Sequence, residues 1–141
     1  MDRILVPVDG SENSMKAVEK AVEIGSLKKS HITILTVVNS KRDNPYILEQ
    51  DYSTDISQKN IENGKRVLNN ALELCAGYAG EIDTLLRNGD IAEVVIDTAE
   101  ELDIDLIVMG RRGMSISARS LLGSISNKVL NYANRSVLVV K

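Results

Sequence analysis

A chain of 141 residues with 43% hydrophobic and 26% charged side chains has the size and composition of one globular domain. Its 17 Lys and Arg against 20 Asp and Glu leave a net charge of −3. That balance excludes the basic face of a generic nucleic-acid binder, and an aromatic complement of four Tyr excludes a stacking platform for single strands. A lone Cys75 and a lone His31 cannot build a Cys/His zinc cage. No run approaches the ~18 apolar residues of a membrane span, and Met1-Asp2-Arg3 leads straight into a strand with no secretory signal. The expectation is a cytoplasmic protein with no membrane or nucleic-acid partner, forming a single domain over residues 1–141.

The first element in chain order is the solid apolar run Ile4-Leu5-Val6-Pro7-Val8, a strand covered on both faces. Met15, Val18, Val22 and Gly25 then mark one face of a helix, and Ile32 to Val38 reads as a second buried strand. The polar stretch Asn39 to Ser53, with Pro45 inside it, reads as an exposed loop. Ile61, Gly64, Leu68, Ala71, Cys75 and Tyr78 keep helical spacing, which places Cys75 on a buried stripe as an inert core thiol. A weaker strand, Ile82 to Arg87, lies between Gly80 and Gly89. Ile91, Val95, Ala99 and Leu102 form a third helix, opened by Asp90 with Glu93 three residues on, a capping box. Leu106 to Met109 is the fourth strand, Ser126, Val129, Leu130 and Ala133 a short fourth helix, and Val137 to Val140 the fifth strand. The order βαβ, loop, αβαβαβ predicts an α/β fold: an open, mainly parallel five-stranded sheet with helices on both faces.

Ligands in such sheets sit beyond the carboxyl ends of the strands, where the strand order reverses. Two segments lie at such ends. One is Pro7-Val8-Asp9-Gly10-Ser11; the other is Gly110-Arg111-Arg112-Gly113, followed by Gly123-Ser124 at the start of the last helix. Gly110 and Gly113 permit positive φ and close backbone approach to a ligand. The helix beginning at Gly123-Ser124 offers free N–H groups and a positive dipole end to an anion. Neither G-x-x-x-x-G-K-[ST], nor G-x-G-x-x-G after the first strand, nor G-x-S-x-G is present.

The spacing Gly110-x2-Gly113-x9-Gly123-Ser124 resembles the signature of the ATP-binding branch of the universal stress protein family. The opening from Ile4 to Ser11, Gly89-Asp90-Ile91-Ala92, the run Asp105 to Gly110 and the ending Ser136 to Lys141 resemble the family as well. Ser136 stands where the family usually carries proline, which bears on the turn before the last strand. The resemblance implies a Rossmann-like fold of the nucleotide-binding α-hydrolase type and a site for ATP or another adenine nucleotide, with Mg or Mn. It implies adenosine contacts from Asp9 and the backbone of Pro7 and Val8, and hydrogen bonds to adenine from Val38. Met109, Gly110 and Gly113 would border ribose and phosphates, and Gly123, Ser124 and Ile125 would hold the phosphate tail. It further implies a regulator with little turnover, commonly a homodimer, here through the C-terminal strand.

Each of these residues also has a plainer role open to it. Asp9 can cap the first helix through an Asx turn or contact the ligand. Arg111, Arg112 and Arg119 can reach a phosphate or point to solvent. His31 reads as structural, and the acidic group Glu100, Glu101, Asp103 and Asp105 as a solvated helix end rather than a metal site. Two further functions stand beside a regulatory nucleotide switch. One is a slow ATP hydrolase or phosphotransferase, disfavoured by the missing Walker lysine and general base; the other is a scaffold that binds no nucleotide.

Overall fold

A computed structural model describes residues 2–38, 54–111 and 122–141. The stretch read as a loop, 39–53, and the glycine segment 112–121 lie outside the described residues. Five strands form one parallel sheet: β1 (Arg3–Pro7), β2 (His31–Val38), β3 (Ile82–Asn88), β4 (Leu106–Gly110) and β5 (Ser136–Val140), in the spatial order β3-β2-β1-β4-β5. Four helices connect them: α1 (Glu12–Gly25), α2 (Thr54–Glu73), α3 (Ile91–Glu101) and α4 (Ser124–Tyr132). The fold class expected from the alternating pattern is the one found.

The solid apolar runs have a direct cause. Successive strand residues point to opposite faces, and both faces are covered. Ile4, Val6, Ile32, Ile34 and Val108 pack under Ala17, Val18 and Ala21 of α1 and Leu68 and Ala71 of α2. Leu5, Leu35, Ile107 and Met109 pack under Ala92, Val95 and Ala99 of α3 and Val129 of α4. Both layers need β1 to be apolar from Ile4 to Val6 and β4 from Leu106 to Met109. Ile107 has no exposed surface, so Ile107→Ala is expected to cost about 2–5 kcal/mol, measurable as a lower urea midpoint.

The third and fourth helices begin and end close to where the spacing puts them, and the Asp90 carboxylate accepts from the Glu93 N–H at 3.1 Å, as a cap should. The second helix is shorter than its apolar stripe. Beyond Glu73 the backbone tightens into bonds from Leu74, Cys75 and Ala76 to carbonyls three residues back, then reverses at Gly77 with φ +84°. Cys75 and Tyr78 keep their inward positions from this turn: Cys75 stays buried, and desolvation raises its thiol pKa. The Tyr78 hydroxyl donates to the Ser30 carbonyl.

The acidic residues at and after the end of α3 serve as structural acceptors. Arg135 binds Glu100 at 2.8 Å and Asp103 at 3.0 Å, which fixes the turn into β5 without a proline. The Asp105 carboxylate accepts from the backbone N–H groups of Arg3 and Asp2, both at 2.9 Å, and these bonds hold its carboxyl below the usual range. A depressed folded-state pKa gives stability that is present above the ordinary Asp value of about 4 and lost as pH falls through the folded value. Asp105→Asn is therefore expected to lower the urea midpoint at neutral pH, with the two proteins converging in acid. His31 Nε2 lies 2.6 Å from Asp83 Oδ2 and ties β2 to the edge strand β3.

Candidate functional site

The chain runs from β1 outward through β2 to β3, then returns to β4 on the other side of β1. The strand order thus reverses between β1 and β4, and a cleft of about 390 Å³ opens beyond their carboxyl ends. Pro7, Val8, Asp9, Met109, Gly110, Gly123, Ser124 and Ile125 line it together, so eight residues drawn from three distant parts of the sequence meet at one place.

One wall is the turn from β1 into α1. Asp9 accepts from the Ser11 N–H at 2.9 Å in an Asx turn, and Gly10 reverses the chain at φ +87°. The Ser11 side chain caps α1 by accepting from the Ser14 N–H at 3.2 Å. Ser14 Oγ donates to the Ser11 carbonyl at 2.9 Å and accepts from the Asp9 N–H at 3.3 Å. The Ser14 N–H of α1 is therefore satisfied from within its own turn, with Ser11 as the cap, and Asp9 braces that turn through the Ser11 N–H while also facing the cleft.

The opposite wall is the start of α4, and it differs. Its N-cap is Gly123, which has no side chain to offer, and the first-turn N–H groups of Ser124, Ile125 and Ser126 have no partner among the described residues. Such a turn is a ready acceptor of negative charge. Its position is set by three bonds. The Gly123 N–H donates to the Arg111 carbonyl at 2.8 Å, and Ser126 Oγ donates to the carbonyls of Gly110 at 2.7 Å and Arg111 at 3.1 Å. Arg111 itself is not among the cleft-lining residues. Its backbone N–H donates to the Val140 carbonyl at 2.8 Å and holds the end of β4 to β5. The bond from Gly123 to Arg111 also brings together the two ends of the segment carrying Arg112, Gly113 and Arg119, which lies outside the described residues.

The floor between the walls is aliphatic: Leu35 and Val37 from β2, Ile91 from α3 and Met109 from β4. With neither Phe nor Trp in the chain, any ring held there would lie against these side chains and backbone. Among the described lining residues Asp9 has the only ionisable side chain.

Gly110 permits positive φ but does not use it: it lines the cleft as the last residue of a strand and is not among the positive-φ glycines. Its missing side chain serves packing, because a Cβ there would lie 2.8 Å from the backbone of Asn13 in α1. Val38, expected to serve adenine, is not among the lining residues. Its carbonyl accepts from the Gly89 N–H at 3.2 Å, while the neighbouring Val37 faces the cleft. Ser11, from the segment singled out after β1, also lines the cleft, as do Ser14, Leu35, Val37, Ile91 and Ser126, which the sequence reading did not assign to a site. Period two along β2 was the available signal, since Leu35 and Val37 share the face of buried strand residues that meets α3.

The model of the universal stress protein family matches residues 1–141. Universal stress protein YxiE of Bacillus subtilis is 30% identical over 146 residues, covering 99% of both chains. The structure of universal stress protein UspA from Lactobacillus plantarum superposes with a TM-score of 0.85 at 26% identity, covering 99% of this chain and 97% of that one. A universal stress protein solved in complex with cAMP is 25% identical with a TM-score of 0.74, covering 99% and 97%. With the family's model matched from end to end and a member's structure superposing over nearly its whole length, the chain belongs to the universal stress protein family.

Proposed function

We propose that this protein is an adenine-nucleotide-binding regulator, with ATP as the ligand favoured by its glycine signature. The observation that carries the reading is the pairing, in one cleft, of an aliphatic floor with an uncapped helix N-terminus. The aliphatic floor suits a nucleobase, and the free N–H groups of Ser124, Ile125 and Ser126 suit phosphate oxygens. The relative that holds cAMP supports the same ligand class. Asp9 and the backbone of Pro7 and Val8 would meet the ribose side. Arg112 and Gly113 would complete the phosphate side, as the family signature implies.

A divalent ion fits this arrangement in a limited way. Among the described residues no group of three or more His, Cys, Asp or Glu could hold a metal. A Mg or Mn ion accompanying the nucleotide would therefore be held chiefly by phosphate oxygens, with Asp9 and the serine hydroxyls nearby. Asp9 is also the only carboxylate among the described lining residues, and it already accepts a backbone N–H. A site with so little acid–base equipment suits retention of nucleotide rather than rapid turnover.

The test is the identity of the small molecule released from freshly purified, denatured protein, followed by calorimetric titration with ATP, AMP and GTP. Release or binding of an adenine nucleotide is expected. Absence of both would overturn the reading in favour of a scaffold. Phosphate release at ordinary enzymatic rates of about 1–10³ per second would move it to a hydrolase.

The same regulator would act as a homodimer through β5. This strand is the edge of the sheet and apolar from Val137 to Val140, and α4 exposes Leu130 and Tyr132. Because the Val140 carbonyl is bonded to Arg111, strand alternation turns the N–H of Val139 toward the open edge. Val139→Pro removes that donor without touching the ladder to β4. Sedimentation is expected to show a wild-type dimer and a Val139→Pro monomer.

A further inference from the structure

We infer that Ser126, which belongs to no part of the glycine signature, is a positioning residue. It sets the anion-binding turn of α4 against the end of β4 and thereby determines how much of the ligand's affinity comes from its phosphate. The inference rests on the cleft being a nucleotide site.

Three observations carry it. Ser126 is 3% exposed, lines the cleft, and spends its hydroxyl on the protein, donating to the carbonyls of Gly110 and Arg111 at 2.7 and 3.1 Å. Gly110 ends β4 and Arg111 follows it, so the bond to Gly110 joins the first turn of α4 directly to the sheet. Among the described residues the helix has no other side-chain fastening at this end, since Gly123 supplies none and only its N–H reaches the Arg111 carbonyl. Finally, the hydroxyl leaves the backbone N–H groups of Ser124, Ile125 and Ser126 unused. A serine at the N-cap would have spent its oxygen on one of these N–H groups and competed with an anion. A serine two residues into the helix instead fixes the turn through the carbonyl side and keeps the donors open.

The chemistry of a helix-terminal anion site is steep in position. Hydrogen-bond strength and dipole attraction fall away within the first turn, so loosening the turn removes affinity for the charged group while sparing the aliphatic floor. Ser126→Ala deletes both tethers and leaves the Gly110 carbonyl without its buried donor. Threonine retains the hydroxyl at the same atom.

The experiment is a calorimetric comparison of AMP and adenosine on wild type, Ser126→Ala and Ser126→Thr, with urea midpoints for all three. For wild type, AMP is expected to bind more tightly than adenosine. For Ser126→Ala, AMP affinity is expected to fall about five- to twentyfold while adenosine affinity holds within about twofold. Ser126→Thr is expected to restore the AMP increment. A parallel fall for AMP and adenosine would make Ser126 merely structural and overturn the inference, as would an unchanged AMP increment in Ser126→Ala. A wild type that binds neither ligand overturns the nucleotide reading itself, a separate failure.

Discussion

A Gly123→Asp protein is expected to resist urea better than wild type and to bind adenine nucleotides about a hundredfold more weakly. The two effects share one cause. Gly123 sits at φ −68° and ψ 157°, extended backbone that any L residue adopts, and it is the N-cap of α4. Aspartate there can accept from the first-turn N–H groups and complement the helix dipole, a gain of about 0.5–1 kcal/mol. The same carboxylate would occupy the N–H donors proposed for phosphate and repel it. Chemical denaturation and calorimetry read the two effects separately. Weaker binding with undiminished stability identifies α4 as the anion's seat, whereas unchanged binding in the folded variant would remove the anion from this turn.

Gly110→Val is expected to destabilise the fold by about 3 kcal/mol and to close the cleft to ligand as a consequence. A Cβ at this position lies 2.8 Å from the backbone carbon and oxygen of Asn13, and backbone cannot rotate away as a side chain would. The start of α1 must then move from the end of β4, carrying with it the Asp9–Ser11–Ser14 turn that forms one wall. The urea midpoint should drop, and residual nucleotide binding should track the folded fraction. A folded Gly110→Val protein of native stability that has lost only binding would return Gly110 to a direct ligand role.

The layers of the molecule were legible in the amino-acid order because burial on both faces leaves a compositional mark. Ile4 to Val8, Ile32 to Val38 and Leu106 to Met109 have few polar positions because helices cover both sides of the sheet. The glycine spacing likewise pointed to the end of β4 and to the head of α4, and Gly110 and Gly123 border one cleft with the turn after β1. What spacing could not decide is which chemical service each residue performs. Gly110 and Gly123 look alike in a motif, yet one makes room for the backbone of α1 and the other leaves a helix end without a cap. Val37 and Val38 are interchangeable as apolar letters, and only strand register with β3 and the covering helices sends one to the cleft. The roles of Ser14 and Ser126 were hidden for the same reason. A serine's partners are carbonyls set by how helices meet the sheet, and their positions are fixed by tertiary packing rather than by neighbouring residues. Sequence alone therefore determined the architecture and the end of the sheet that matters. Tertiary structure decided how the walls are fastened and which first-turn N–H groups of α4 are left without a partner among the described residues.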